Sequence, residues 1–176
     1  ILRCFSLSDG KEIWNFKGEN SLIKNNKKSS LVLDENNVIF INEVGDVNAI
    51  DLSSGDLIWQ TPTQSIAIYE DSFSYIYSNI VLDEQSIYFS NNKNEFFALN
   101  SKNGFVKWKQ NLGTILPPII INNIVFTISD NGYLAVLDKK KGNILRSTNI
   151  KKELKIKENR GFIIGKEHIF LTFDPG

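Results

Sequence analysis

The chain has 176 residues, 20 Lys and Arg against 20 Asp and Glu, one His, one Cys, and 41% hydrophobic residues. These proportions sit near the globular averages and suffice for a buried core, while zero net charge gives no long-range field to draw in nucleic acid or an anionic membrane. One Cys excludes an internal disulfide, one Cys with one His excludes a zinc site of recognised spacing, and no apolar run approaches the roughly 18 to 20 residues of a spanning helix.

The first element is a short phrase, CFSLSDGKEIW, running from Cys4 to Trp14: a small or apolar residue, a polar turn closed by glycine, and an aromatic four residues later. It returns as AIDLSSGDLIW (Ala49 to Trp59), ALNSKNGFVKW (Ala98 to Trp108) and VLDKKKGNILR (Val136 to Arg146). Gly10, Gly55, Gly104 and Gly142 are spaced by 45, 49 and 38 residues, a period that calls for one repeated supersecondary module. Cys4 aligns with Ala49 and Ala98, so it reads as a small strand residue; Arg3 stands where a lipid-acceptor cysteine requires small residues. Ser6, Asp51, Asn100 and Asp138 share one turn position, where a short acceptor can bond backbone N–H groups.

Ahead of each hairpin stands an apolar strand: Ser30 to Glu35, Asn79 to Glu84, Pro117 to Asn123 and Gly161 to Glu167. Apolar residues on consecutive positions predict burial of these strands on both faces. Next come NNVIFINEVGDVNAID, QSIYFSNNKNEFFALN and NNIVFTISDNGYLAVLD, each a β-branched and aromatic strand, a polar turn, and a second strand. EHIFLTFDPG at the chain end fits the same template, and Gly45, Asn94, Gly132 and Gly176 share a position suited to positive φ. The strand after the phrase glycine makes the fourth.

Four antiparallel strands per period of about 40 to 50 residues predict an all-β fold, a β-propeller arc of four-stranded antiparallel blades. One partial propeller domain is expected over residues 1–176, about four blades' worth with three complete. Full blades fall at about residues 30–60, 79–110 and 117–148, with blade remnants at 1–16 and 161–176. Beginning inside one repeat and stopping inside another, the chain is expected to be a segment of a longer protein. The Trp-Asp dipeptide of WD40 blades and the paired glycines of kelch blades are absent.

The phrase A-x-D-x-x-x-G-x-x-x-W, matched in full by Ala49, Asp51, Gly55 and Trp59, resembles the tryptophan-docking repeat of the pyrroloquinoline-quinone-type propellers. Ala98, Gly104 and Trp108 match with Asn100 in the aspartate place, Gly10 and Trp14 match more weakly, and Arg146 replaces the last tryptophan. The resemblance implies a seven- or eight-bladed ring in which Trp14, Trp59 and Trp108 dock between blades, with Gly10, Gly55, Gly104 and Gly142 as structural partners. Enzymes of this family oxidise alcohols or sugars with quinone and calcium, often beneath adjacent cysteines. This chain has no such cysteine pair, and Asp9, Asp34, Asp51, Asp83 and Asp138 all fall at strand ends or turns. No catalytic, metal-binding or cofactor-binding residue is therefore assigned.

The cofactor-free, BamB-like branch of the family is the better resemblance. It implies a non-catalytic scaffold of outer-membrane barrel assembly in the periplasm, associated with the outer membrane, and leaves room for a lipid anchor upstream. Its implied partner is the set of BamA-like periplasmic domains. A quinone-dependent dehydrogenase and an extracellular binding propeller are the alternatives.

Connectors are expected at Lys17 to Ser29, Thr61 to Ser78, Lys109 to Leu116 and Asn149 to Arg160, where variable loops carry recognition. Lys24, Lys27 and Lys28 make the first basic; Lys151, Lys152, Lys155, Lys157 and Arg160 do the same for the last. In the longest connector, Tyr69, Phe73, Tyr75 and Tyr77 are candidates for a partner-binding edge, against the plainer reading that they pack on their own blade. Lys139, Lys140 and Lys141 read as solubilising a turn, and His168 as a structural or exposed residue.

Overall fold

The structure, a computed structural model, describes residues 1–18, 30–42, 45–63, 76–154 and 156–175. Backbone proximity divides the chain into two compact units, Ile1–Ser74 with Ser101–Phe105, and Tyr75–Asn100 with Val106–Gly176.

In the first unit, β1 (Leu2–Phe5) and β2 (Glu12–Phe16) form a two-stranded antiparallel sheet. β3 (Leu31–Asp34), β4 (Asn37–Ile41), β5 (Val47–Asp51) and β6 (Leu57–Thr61) follow as a four-stranded antiparallel sheet in chain order. The Phe16 and Phe40 rings meet edge to face at 6.1 Å.

In the second unit, β7 (Val81–Asp83), β8 (Ser86–Asn91), β9 (Glu95–Asn100) and β10 (Val106–Gln110) make one four-stranded sheet. β11 (Ile119–Ile121), β12 (Ile124–Ile128), β13 (Tyr133–Asp138) and β14 (Ile144–Asn149) make another. A short helix, α1 (Ile150–Leu154), leads to β15 (Ile156–Gly165) and β16 (His168–Pro175), a two-stranded sheet. One apolar cluster gathers Tyr88, Phe96, Ala98 and Trp108 with Val125, Ala135 and Leu137, so adjacent sheets share a core. A second joins Ile128 and Ile150, with Leu134, Phe162 and Leu171 against them.

Both-face burial belongs to the middle strands of the β3–β6 and β7–β10 sheets, which corrects the expectation placed on the first strands. β8 is buried at every position, and β4 and β5 nearly so, whereas Leu31 and Leu33 of β3 are 53% and 65% exposed. An outer strand has a hydrogen-bonded neighbour on one side only, and apolar composition alone does not place it inside. The last connector is also shorter than expected. Asn149 accepts the Lys152 N–H on its side-chain oxygen at 3.0 Å, starting α1, and β15 then begins at Ile156, five residues before Gly161.

The β3–β4, β7–β8, β11–β12 and β15–β16 turns are two-residue loops with a non-glycine first residue in the left-handed region: Glu35 and Glu84 at φ 51°, Asn122 and Lys166 at φ 53°. Such a conformation costs a glutamate about 1 kcal/mol. Glu35→Gly is expected to hold or raise the melting temperature, by at most about 1 kcal/mol of stability, because the lost contact is an exposed 4.0 Å ion pair with Lys102. A loss above about 1 kcal/mol would mean that the Glu35 side chain outweighs the strain.

Candidate functional site: the repeated indole and glycine turn

Three of the phrase glycines, Gly10, Gly55 and Gly142, close the same hydrogen-bonded turn. In each, the glycine N–H donates to the carbonyl four residues back: Gly10 to Ser6 at 2.9 Å, Gly55 to Asp51 at 2.9 Å, Gly142 to Asp138 at 2.8 Å. Side-chain acceptors brace the same turns. The Asp51 carboxylate accepts the N–H groups of Ser53 at 2.9 Å and Ser54 at 2.8 Å, Asp138 accepts Lys141 N–H at 2.7 Å, and the Ser6 hydroxyl accepts Ser8 N–H at 3.2 Å. The Ser53 hydroxyl, then the Ser54 and Ser53 amides, hold the Asp51 carboxyl below the usual carboxylate range. Asp9 is lowered in the same way, chiefly by Ser6 and then by the Lys11 amide. Gly10, Gly55, Gly104 and Gly142 have φ of 71°, 80°, 73° and 71°, which explains a residue without Cβ at this place.

Three of these glycines have a second reason to lack a side chain. A Cβ on Gly55 would lie 2.7 Å from Cδ2 of Trp14; on Gly104, 2.5 Å from Cε3 of Trp59; on Gly142, 2.5 Å from Cδ2 and Cε3 of Trp108. Each indole thus lies on the turn one repeat ahead, and a Cβ on Gly10 would meet nothing within 4 Å. Each indole N–H donates to a carbonyl of that same turn: Trp14 to Leu52 at 2.9 Å, Trp59 to Ser101 at 3.1 Å, Trp108 to Lys139 at 2.9 Å. Thr61 adds a bond from its hydroxyl to the Gly104 carbonyl at 2.8 Å.

The small residue of the phrase has a matching place. Cys4 stands opposite Trp14, Ala49 opposite Trp59 and Ala98 opposite Trp108 across the strand pair, leaving room beside a large ring. Trp108 is the most enclosed, stacked on Phe96 at 5.7 Å with Tyr88 tilted at 5.9 Å. Burial pushes the Tyr88 phenol up, opposed by its hydrogen bond with Ser86. In the last repeat, Arg146 is exposed opposite Val136.

Tyr77 is half-buried, forms an isolated bridge to Asn91 and sits 6.3 Å from the Phe89 ring. Tyr69, Phe73 and Tyr75 lie outside the described residues, as do Lys24, Lys27, Lys28 and Lys155. Lys151 and Lys152 are exposed on α1, and His168 is exposed at the start of β16.

Lys139 departs from the expectation of a solvated turn. Its side chain is 10% exposed, and its ammonium lies 2.5 Å from Asp83 and 3.3 Å from Glu84 at the tip of the preceding sheet's first hairpin. The readable signal was the acidic tip itself, since SLVLDE and NIVLDE both end in Asp-Glu and a lysine follows in the next repeat's phrase turn, as Glu35 with Lys102 also shows. The hydrogen bond to Asp83 holds the Lys139 ammonium above the usual lysine range. A base whose pKa is raised on folding contributes stability that is fully present below its unfolded pKa of about 10.4 and is lost as pH rises through the folded value. Lys139→Met is therefore expected to cost about 1 kcal/mol at neutral pH, with its melting curve converging on the native one in alkaline buffer. A constant offset through pH 11 to 12 would assign the loss to the aliphatic stem instead.

Among the described residues, five antiparallel sheets in simple chain order, three of them four-stranded, together with three indoles each seated on the glycine turn of the next repeat, define a β-propeller repeat protein. Residues 1–148 match the family of the outer membrane protein assembly factor BamB, and the chain belongs to that family. Among curated proteins there is no match. Of the solved structures, BamB from Moraxella catarrhalis is similar over 84% of this chain and 46% of its own, at 17% identity and a TM-score of 0.62. The computationally designed Ika8 protein is similar over 96% of this chain and 48% of its own, at 13% identity and a TM-score of 0.69. Quinohemoprotein alcohol dehydrogenase from Comamonas testosteroni is similar over 68% of this chain and 20% of its own, at 18% identity and a TM-score of 0.55. The chain thus spans less than half the length of each. Among the described residues no helix is long and apolar enough to cross a membrane.

Proposed function

We propose that this chain is a protein-binding scaffold without catalytic function, acting in outer-membrane β-barrel assembly on the periplasmic side of that membrane. The family match over residues 1–148 carries the reading. Residues 1–176 then make one partial propeller domain, with Trp14, Trp59 and Trp108 and the glycines at 10, 55, 104 and 142 as its structural joints. The partner is the periplasmic domains of a BamA-like barrel protein, recognised through Tyr69, Phe73, Tyr75 and Tyr77. The purified chain should bind those domains saturably in calorimetry, and alanine at Tyr69, Phe73 and Tyr75 should weaken binding while leaving the melting temperature unchanged. A folded chain with no measurable affinity for the domains would sink the proposal.

The alcohol dehydrogenase similarity favours a second reading, a piece of a quinone-dependent enzyme. Such an enzyme holds calcium with about six to eight converging oxygens, and among the described residues no three His, Cys, Asp or Glu side chains gather. Titration with quinone and calcium decides the matter: a saturable quinone absorbance would favour the enzyme.

A further inference from the structure

The fourth strand borders each complete sheet, and its beginning is open to the same degree in all three. Ile144 of β14 is 46% exposed; Leu57 of β6 and Val106 of β10, likewise two residues before the tryptophan position, are 45% and 49% exposed. Leu145 is 57% exposed and its counterpart Ile58 is 46% exposed. An open apolar border is thus a property of the repeat, and such a border offers unpaired N–H and C=O groups to another strand.

The three borders differ in how they are charged. In β10, Lys107 and Lys109 stand within the strand, where lysines discourage strand addition, and both are engaged by their own sheet. Lys107 donates to the Gln85 carbonyl at 2.8 Å and the Ser86 hydroxyl at 2.5 Å, and Lys109 pairs with Glu95 at 2.6 Å. β6 carries no basic residue. In β14 the arrangement is reversed: the strand has no lysine, and exposed lysines stand in pairs just before and just after it, Lys140 with Lys141 and Lys151 with Lys152. Between Lys139 and Lys152 every charged residue is basic, in a chain of zero net charge. None of these four lysines makes an ion pair among the described residues.

Backbone bonds hold both lysine pairs in place. The Lys141 N–H donates to the Asp138 carboxylate at 2.7 Å, in the turn that Lys139 anchors to Asp83. Beyond the strand, the N–H groups of Ile150 and Lys151 donate to the Gly132 carbonyl at 3.0 and 3.2 Å, and Ile150 is buried with Ile128. The six residues of β14 span about 20 Å between the two positive ends.

We propose that β14 is a docking edge for an extended acidic segment of a partner protein, which adds to the sheet as a fifth strand. The backbone of the segment pairs with the open side of β14, its apolar residues cover Ile144 and Leu145, and its carboxylates at either end meet the lysine pairs. A segment without acids would leave the lysines unanswered, and a nucleic acid or an anionic bilayer has no strand to pair with the backbone. Any partner presenting such a segment would serve, whichever compartment the chain occupies.

Fluorescence anisotropy with the full chain and a labelled peptide of sequence EEVTVTVEE provides the test, and saturable binding is expected. Lys140→Glu combined with Lys152→Glu should weaken it about tenfold or more, with the β-sheet circular dichroism unchanged. N-methylation of alternate peptide residues separates strand addition from plain attraction. Methylation on one parity should abolish binding and on the other leave it unchanged, because only every second N–H faces the sheet. A native chain that does not bind the peptide, or binding that survives methylation on both parities, would overturn the proposal. Equal binding of a poly-uridine oligonucleotide or of phosphatidylglycerol vesicles through the same lysines would overturn it in favour of a general polyanion surface.

Discussion

Replacing Trp108 by alanine should be the most damaging single change in the chain, with a loss of about 3 to 5 kcal/mol in denaturant unfolding. The indole is 8% exposed, stacks on Phe96, touches Tyr88 and belongs to the cluster with Val125, Ala135 and Leu137, so its removal opens a cavity where two sheets meet. Trp14 and Trp59 are only half-buried, and alanine at either should cost less. Trp108→Phe separates the two contributions of the ring. It keeps most of the apolar area and abolishes the N–H bond to Lys139, so about 1 to 2 kcal/mol should be lost. If Trp108→Ala falls no further than Trp14→Ala, burial is not what sets the strength of these joints.

The second large effect is expected at the glycines, where position along the chain predicts size. Gly142→Ala forces an ordinary residue to φ 71° and drives its Cβ to 2.5 Å from the Trp108 ring. Left-handed strain of about 1 kcal/mol and overpacking of about 1 to 3 kcal/mol together predict a loss of about 2 to 4 kcal/mol. Gly10→Ala has the same φ and nothing within 4 Å, so only the strain of about 1 kcal/mol remains. A double-mutant cycle sharpens the claim: with Trp108→Ala already present, the steric share of Gly142→Ala should vanish and the two losses should not add. Strict additivity would show that the ring and the turn do not hold one another.

The repeat phrase made much of this legible, because each of its positions answers one physical demand. Glycine marks the left-handed turn, the small residue marks the strand position facing the indole, and the aspartate or serine marks the braced loop. Other features left weaker traces. Glu35, Glu84 and Lys166 carry positive φ without being residues that favour it, whereas Asn122 is of a type that does. The openness of Leu31 and Leu33 depends on which strand lies at the sheet border, a property of neighbours that apolar composition does not encode. Lys139 looked like one of three equal lysines, yet it pairs with Asp83 and Glu84, and its backbone carbonyl also accepts the Trp108 N–H.

Because every indole reaches forward and none reaches back, the molecule has a polarity that its near-symmetric repeats conceal. The turns at Gly55, Gly104 and Gly142 each carry the ring of the repeat before, and Arg146 stands where the next ring would be. Cooperation between neighbours of this kind spreads a local loosening along the series instead of confining it. Amide exchange should record the asymmetry as unequal protection, slowest where the buried Trp108 ring closes the Gly142 turn.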